Sequence, residues 1–89
     1  VDTVGRQLAE AALSGRISAW EVLPAVESAW RQQPYDEDLQ QSLMRLLRAT
    51  KGRDAVTAWY RELVLLLREE LGVPPTHEVE SVFRKMSLD

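Results

Sequence analysis

Apolar residues recur at intervals of three and four along most of the chain, and glycine or proline interrupts the pattern at a few points. Such spacing places the apolar side chains on one face of an α-helix. The clearest stripe, at positions i, i+3, i+4 and i+7, consists of Val79, Val82, Phe83 and Met86. The sequence has no alternating run and no Asn-Gly or Asp-Gly turn, the usual signals of strands and hairpins. The chain is therefore predicted to be all-α.

Five helices are predicted, and the first two lie before Pro34. The first covers roughly Thr3 to Ser14, and Gly15 follows its end. The second begins at Ser18, a residue type that favours helix N-termini. Pro24 lies inside it, so this helix either kinks there or starts again. A kink is predicted, because the apolar stripe continues through the proline.

The third and fifth helices have polar residues at their starts. Acidic residues 36–38 open the third, where the helix dipole favours negative charge, and Gly52 stops it. Its predicted buried stripe consists of Leu39, Leu43, Leu46 and Leu47. Residues 73–75, Val-Pro-Pro, cannot be helical. Thr76 then caps the fifth helix.

The fourth helix is the most apolar and is predicted to be the centre of the domain. Asp54 is expected to cap it and Gly72 to close it. Its main stripe consists of Ala55, Trp59, Leu63, Leu66, Leu67 and Leu71. Four further apolar residues lie off this stripe: Val56, Tyr60, Val64 and Leu65. A helix that is apolar over more than one face is buried between neighbours or covers a partner.

The glycine and proline residues that separate the predicted helices recur at similar intervals. Gly15-Arg16 and Gly52-Arg53 are 37 residues apart, and each lies between two predicted helices. Pro34 and Pro74 are 40 residues apart, and each ends the second helix of a pair. This pattern indicates tetratricopeptide-like helical hairpins: two antiparallel helix pairs, with the fifth helix as a C-terminal cap.

Composition excludes several classes of protein. The 89 residues suffice for one domain, here residues 1–89. The net charge is −3, so bulk charge does not favour nucleic acid or an anionic membrane. Cysteine is absent and histidine occurs once, so neither a metal site nor a cofactor is predicted. The longest apolar run, residues 64–67, is far shorter than the roughly 20 residues of a membrane span. Because the chain starts at Val1, it is interpreted as a fragment of a larger, cytoplasmic multidomain protein with no membrane contact through this domain.

Five short stretches form a recognisable pattern: residues 43–47 (LMRLL), 60–63 (YREL), 67–73 (LREELGV), Pro75-Thr76 and Glu78-Val79. This pattern resembles the bacterial transcriptional activator domain (BTAD) of SARP-type regulators. The resemblance covers roughly Asp36 to Met86, and the first hairpin is similar only as a helical repeat. It implies an all-helical, tetratricopeptide-like module that supports dimerisation and regulation of an attached winged-helix DNA-binding domain.

No catalytic residue is predicted. His77 follows a helix cap and lacks a second histidine, a cysteine or an evident serine partner in sequence. Glu69 and Glu70 lie near a helix end, where carboxylates usually form a solvated face. The serine and threonine hydroxyls at helix boundaries have no base to activate them.

Two groups of residues are candidate binding residues. The candidate partner surface consists of Trp30, Tyr60, Val64 and Leu65, although aromatic residues at helical spacing are more often core. The candidate phosphate contacts are Arg45, Arg48, Lys51 and Arg53, whose charges also complement a helix end. With 14 acidic residues in the chain and Asp54 beside this cluster, direct DNA binding by the domain alone is not expected.

The predicted function is a non-enzymatic interaction and dimerisation module of a bacterial transcriptional activator. Its partner would be a second copy or another domain of its own chain, and DNA would be reached only through the attached winged-helix domain. The alternative is a structural scaffold or interaction domain of a non-regulatory, envelope-associated multidomain protein. The sequence on either side of the domain discriminates between them.

Overall fold

The computed structural model describes residues 18–88, which form four α-helices. They are α1 (Ala19–Gln32), α2 (Glu37–Thr50), α3 (Arg53–Leu71) and α4 (His77–Leu88). No strand occurs in this part of the chain. These helices correspond to the second to fifth predicted helices, and the all-α prediction is confirmed. The helix predicted for Thr3 to Ser14 lies outside the described residues.

Local signals set most of the helix ends. The Asp36 carboxylate accepts a hydrogen bond from the Leu39 amide at 3.1 Å and so caps α2. At α4 the Thr76 hydroxyl accepts from the Val79 amide at 3.4 Å. Gly72 closes α3 in the left-handed conformation, with φ 67°. The predictions for Thr76 and Gly72 are confirmed, and the structure adds a cap by Asp36 to the predicted acidic start of α2. Each of these ends depends on groups within one helical turn.

The start of α3 differs from the prediction. Gly52, not Asp54, occupies the N-cap position, and the helix begins at Arg53. Gly52 has φ 96° and ψ −172°, a conformation accessible almost only to glycine. The chain can therefore pass from α2 to α3 within two residues. Asp54 lies in the first turn of α3, where its charge suits the helix dipole.

The structure also refines the prediction for the start of α1 and for Pro24. Ser18 occupies the N-cap position, but its hydroxyl makes no capping hydrogen bond. Its carbonyl accepts from the amides of Glu21 and Val22. The helix continues without a break through Pro24, so it does not start again there.

The core lies where α1, α2 and α3 meet, and α4 covers it. Helix α1 packs on α2, α2 on α3, and α4 on both α2 and α3, as expected of a capping helix. The buried cluster comprises Val22, Leu23, Val26, Trp30, Leu43, Met44, Leu46, Leu47, Val56, Trp59, Leu63, Leu67 and Val79. The predicted burial of Trp59 and Leu63 is confirmed. Leu39 is also fully buried.

The buried face of α3 is rotated from the predicted stripe. Val56, placed off the stripe by its spacing, is 1% exposed, whereas Leu71 is 52% exposed. The buried residues Val56, Trp59, Leu63 and Leu67 follow spacings of three, four and four. Each four-residue step turns about 40° beyond a full helical turn, so the stripe drifts off the core before it reaches Leu71.

Gln40 is the buried polar residue of this core. Its side-chain amide donates a 2.8 Å hydrogen bond to the Pro34 carbonyl. The bond satisfies a donor that would be costly to bury unpaired. It also ties the loop between α1 and α2 to α2.

Candidate interaction surface

An open groove of about 570 Å³ lies between α3 and α4. We call it the α3–α4 groove. Residues of both helices line it: Thr57, Tyr60, Arg61, Val64, Leu65, Arg68 and Phe83. Three of the four predicted partner-surface residues, Tyr60, Val64 and Leu65, are therefore brought together in one place. They converge because successive turns of α3 present them on the same side of the helix.

Aromatic stacking joins the two helices at the groove. The rings of Tyr60 and Phe83 lie nearly parallel, 5° apart in plane, with centroids separated by 3.9 Å. Tyr60 is half-buried as a result, and desolvation by this burial raises the pKa of its phenol. The carboxylate of Glu80 raises that pKa further, while the guanidinium of Arg84 opposes it. The stacked pair is thus a rigid, mostly apolar part of the groove.

The aliphatic part of the groove is open to solvent. Leu65 is 54% exposed, and Val64 beside it is half-buried. Together with the aromatic pair, these two side chains give the groove an apolar floor that solvent reaches.

Two arginines lie among these apolar side chains. Arg61 and Arg68 are exposed and seven residues apart on α3. Within residues 18–88 neither guanidinium forms an ion pair. The described residues that line the groove include no carboxylate. The α3–α4 groove therefore combines apolar contact area with uncompensated positive charge.

The fourth predicted surface residue, Trp30, does not belong to this surface. It is 3% exposed and packs edge-to-face on Trp59, with ring centroids 5.4 Å apart. The prediction for Trp30 is wrong because the apolar stripe of α1 turns it into the core. Only its edge reaches a smaller recess of about 210 Å³, where Arg31 faces Glu62 at 3.9 Å.

Four residues of the groove lie outside the predicted partner surface: Thr57, Arg61, Arg68 and Phe83. Phe83 was assigned to the stripe of α4 that packs on the core, and it does contact the core as well as Tyr60. Arg61 and Arg68 were not singled out. The signal that points to them is their seven-residue spacing on either side of Val64-Leu65, which puts all four on one helical face.

The candidate phosphate contacts do not form a single free patch. Arg45 and Lys51 are exposed, whereas Arg48 is partly buried. The guanidinium of Arg53 donates to the Ser87 carbonyl at 3.4 Å, so it contacts the end of α4. Arg53 therefore has a structural contact as well as a charge.

The described residues give no sign of a reaction centre. His77, Glu69 and Glu70 are all exposed. Across residues 18–88, no group of three or more histidine, cysteine, aspartate or glutamate side chains is arranged to hold a metal ion. In the same range, no helix is both long enough and apolar enough to cross a membrane.

Comparison with known protein families gives one match. The family model described as "Bacterial transcriptional activator domain" matches residues 3–86. No curated protein and no solved structure matches the chain. The family match covers α1, α2 and α3 in full and α4 as far as Met86, and it includes every residue of the α3–α4 groove.

Proposed function

Because the chain belongs to the family of bacterial transcriptional activator domains, we propose that it is the non-enzymatic protein-interaction module of a cytoplasmic transcriptional activator. Its role is to present the α3–α4 groove to a sister subunit or to another domain of its own chain. DNA is contacted by an attached winged-helix domain. The observation that supports this role is the exposure of Leu65 beside the Tyr60–Phe83 stack.

Energetic considerations favour covering this groove. Removing an exposed leucine side chain from water stabilises a complex by about 1.5–3 kcal/mol at full burial. The stacked rings of Tyr60 and Phe83 are already ordered, so little conformational entropy is lost when a partner binds against them. A preformed apolar groove therefore suits a binding function better than a catalytic one.

The absence of cysteine from the chain allows a direct test. Leu65→Cys introduces a single thiol into the groove, and Ala49→Cys introduces one at an exposed site on α2 as a matched control. The rate of maleimide modification is then compared between the 89-residue chain and the full-length protein. We expect Cys at position 65 to be protected relative to position 49 in the full-length protein. Equal reactivity at both positions there would contradict the proposal.

The same experiment separates the two kinds of partner. Protection that increases with concentration of the 89-residue chain indicates a sister subunit. Protection that appears only in the full-length protein indicates another domain of the same chain.

The regulatory context has its own test, which is the sequence that flanks the domain. A winged helix before residue 1 supports the activator role. A membrane span or a peptidoglycan-binding repeat in that position supports the scaffold alternative.

A further inference from the structure

We propose that the α3–α4 groove binds an acidic amphipathic helix of a partner segment rather than a second copy of the same surface. This inference rests on the proposed function and specifies the chemistry of the partner. It is drawn from the charge and shape of the groove. The feature that carries it is the pair of arginines placed, in sequence, on either side of the half-buried Val64 and the exposed Leu65.

The spacing of the two arginines matches the repeat of an α-helix. Arg61 and Arg68 are separated by two turns of α3, a rise of about 10.5 Å. A ligand helix lying along α3 has the same rise, so carboxylates at its positions i and i+7 can face both guanidinium groups. Arg side chains favour carboxylates because their planar donors can engage both oxygens.

The apolar residues of the groove match the apolar face of such a ligand helix. An amphipathic helix inserts side chains at spacings of three and four into a hydrophobic groove. Here Val64, Leu65 and the Tyr60–Phe83 stack line the same groove as the two arginines. A ligand with leucines between its two carboxylates would place them on this apolar area.

Among residues 18–88, the acidic groups near the groove pair with other arginines. On α4 the Glu80 carboxylate pairs with Arg84 at 2.8 Å. On α1 and α3 the pair formed by Arg31 and Glu62 lies at the smaller recess. The positive charge of Arg61 and Arg68 is therefore available to a ligand.

Charge also argues against a symmetric pair of identical grooves. A two-fold interface brings the same surface of both subunits together. Arg61 and Arg68 of one copy would then approach the same arginines of the other, with no groove carboxylate between them. Like charges placed face to face oppose association.

The test uses the 89-residue chain and two synthetic peptides. Each peptide has about 18 residues, long enough to form a helix in a binding site. Both carry leucines at positions i+3 and i+4. The acidic peptide has glutamates at i and i+7, and the basic peptide has lysines there. Fluorescence anisotropy of the labelled peptides measures affinity.

We expect the acidic peptide to bind at least about tenfold more tightly than the basic one, with an affinity that falls as salt rises. The variant R61E/R68E should reverse this preference and bind the basic peptide. The control R45E/K51E makes the same change in net charge at two exposed positions, one on α2 and one directly after its end, and it should keep the preference for the acidic peptide. Circular dichroism of each variant verifies that it is folded.

Two results would overturn the inference. One is equal binding of both peptides by the wild-type chain. The other is loss of acidic-peptide binding in R45E/K51E to the same extent as in R61E/R68E. Protection of position 65 in the full-length protein, combined with either result, would refute the acidic partner and leave the interaction function standing.

Discussion

Trp30 and Trp59 meet edge-to-face, with ring centroids 5.4 Å apart and ring planes inclined at 64°. The contact joins α1 to α3 across the core. Both indole N–H groups are buried, and neither has a hydrogen-bond partner among the described residues. The pair thus contributes apolar area and ring contact, while each N–H carries a desolvation penalty.

The packing of Trp59 on Trp30 predicts that two substitutions of Trp59 lower the free energy of unfolding by different amounts. Trp59→Ala should lower the free energy of unfolding by about 3–5 kcal/mol, because it leaves a cavity. Trp59→Phe keeps an aromatic ring against Trp30 and removes the unpaired N–H, so it should cost less than about 1.5 kcal/mol. Urea unfolding followed by circular dichroism measures both values. If phenylalanine were as costly as alanine, the indole N–H would have to make a bond.

Leu63 and Leu65 are the same residue type on the same helix, α3, but they differ in burial. Leu63 is fully buried, and Leu65 is 54% exposed. Leu63→Ala should therefore destabilise the domain by about 2–5 kcal/mol, most of the stability of a domain of this size. Leu65→Ala should change stability by less than about 0.5 kcal/mol. Thermal melts of the two variants, run side by side, test the placement, and similar melting temperatures would contradict it.

Alanine substitution is predicted to lower stability by different amounts at Gly52 and Gly72, which lie in two different turns. Both have positive φ, and nothing lies near the position of an added Cβ at either. Only backbone strain therefore opposes substitution. Gly72 is in the left-handed region, where Gly72→Ala should cost about 1–2 kcal/mol and Gly72→Asn less. Gly52→Ala should cost more than Gly72→Ala, because the conformation of Gly52 is essentially restricted to glycine. The reverse order in chemical denaturation would contradict the described turns.

The isolated domain should not bind DNA sequence-selectively. Arg45 and Lys51 are exposed, but Arg53 contacts the end of α4 and the chain is acidic overall. Any binding should be weak and salt-dependent. The substitutions Arg45→Gln and Lys51→Gln together should lower the salt slope by about 2. Anisotropy titration of duplex DNA near physiological salt checks this. Saturable, selective binding below micromolar concentration would mean that one of the packing helices reads bases.

The raised pKa of Tyr60 predicts loss of stability at high pH. Above the ordinary pKa of 10.0, the phenol ionises in the unfolded chain while the folded chain still holds the proton. The folded state then binds more protons, so stability falls as pH rises through this window. Tyr60→Phe should lose less stability than the wild type between about pH 9 and pH 11. Urea unfolding at each pH gives the comparison. Identical pH profiles would contradict the assigned burial of the phenol.

The sequence predicted those parts of the fold that depend on neighbouring residues. Thr76 caps α4 through an amide three residues away, so its pattern is visible in the chain itself. Burial of Leu63 follows from the helical period. The start of α3 was predicted at the wrong residue. Aspartate is a common N-cap residue, which favoured Asp54. The presence of a glycine at position 52 does not by itself show that its backbone adopts a positive φ.

The groove was only partly predictable, for a different reason. Periodicity shows which residues of α3 lie near one another on the helix surface, and Tyr60 and Val64, four residues apart, do line the same groove. It does not show how two helices cross, and the stack of Tyr60 on Phe83 depends on that crossing. Trp30 was misplaced for the same reason. An apolar aromatic residue can face a neighbouring helix or a partner, and only the packing of α1 decides between them.

The α3–α4 groove has one wall on each of two helices, and α4 buries only Val79 fully. A ligand held between Tyr60 and Phe83 would therefore bind the folded arrangement and not a state in which α4 has detached. By mass action, such a ligand raises the melting temperature in proportion to the logarithm of its concentration above its dissociation constant. The thermal stability of the domain is then a property of the complex as much as of the 89 residues themselves.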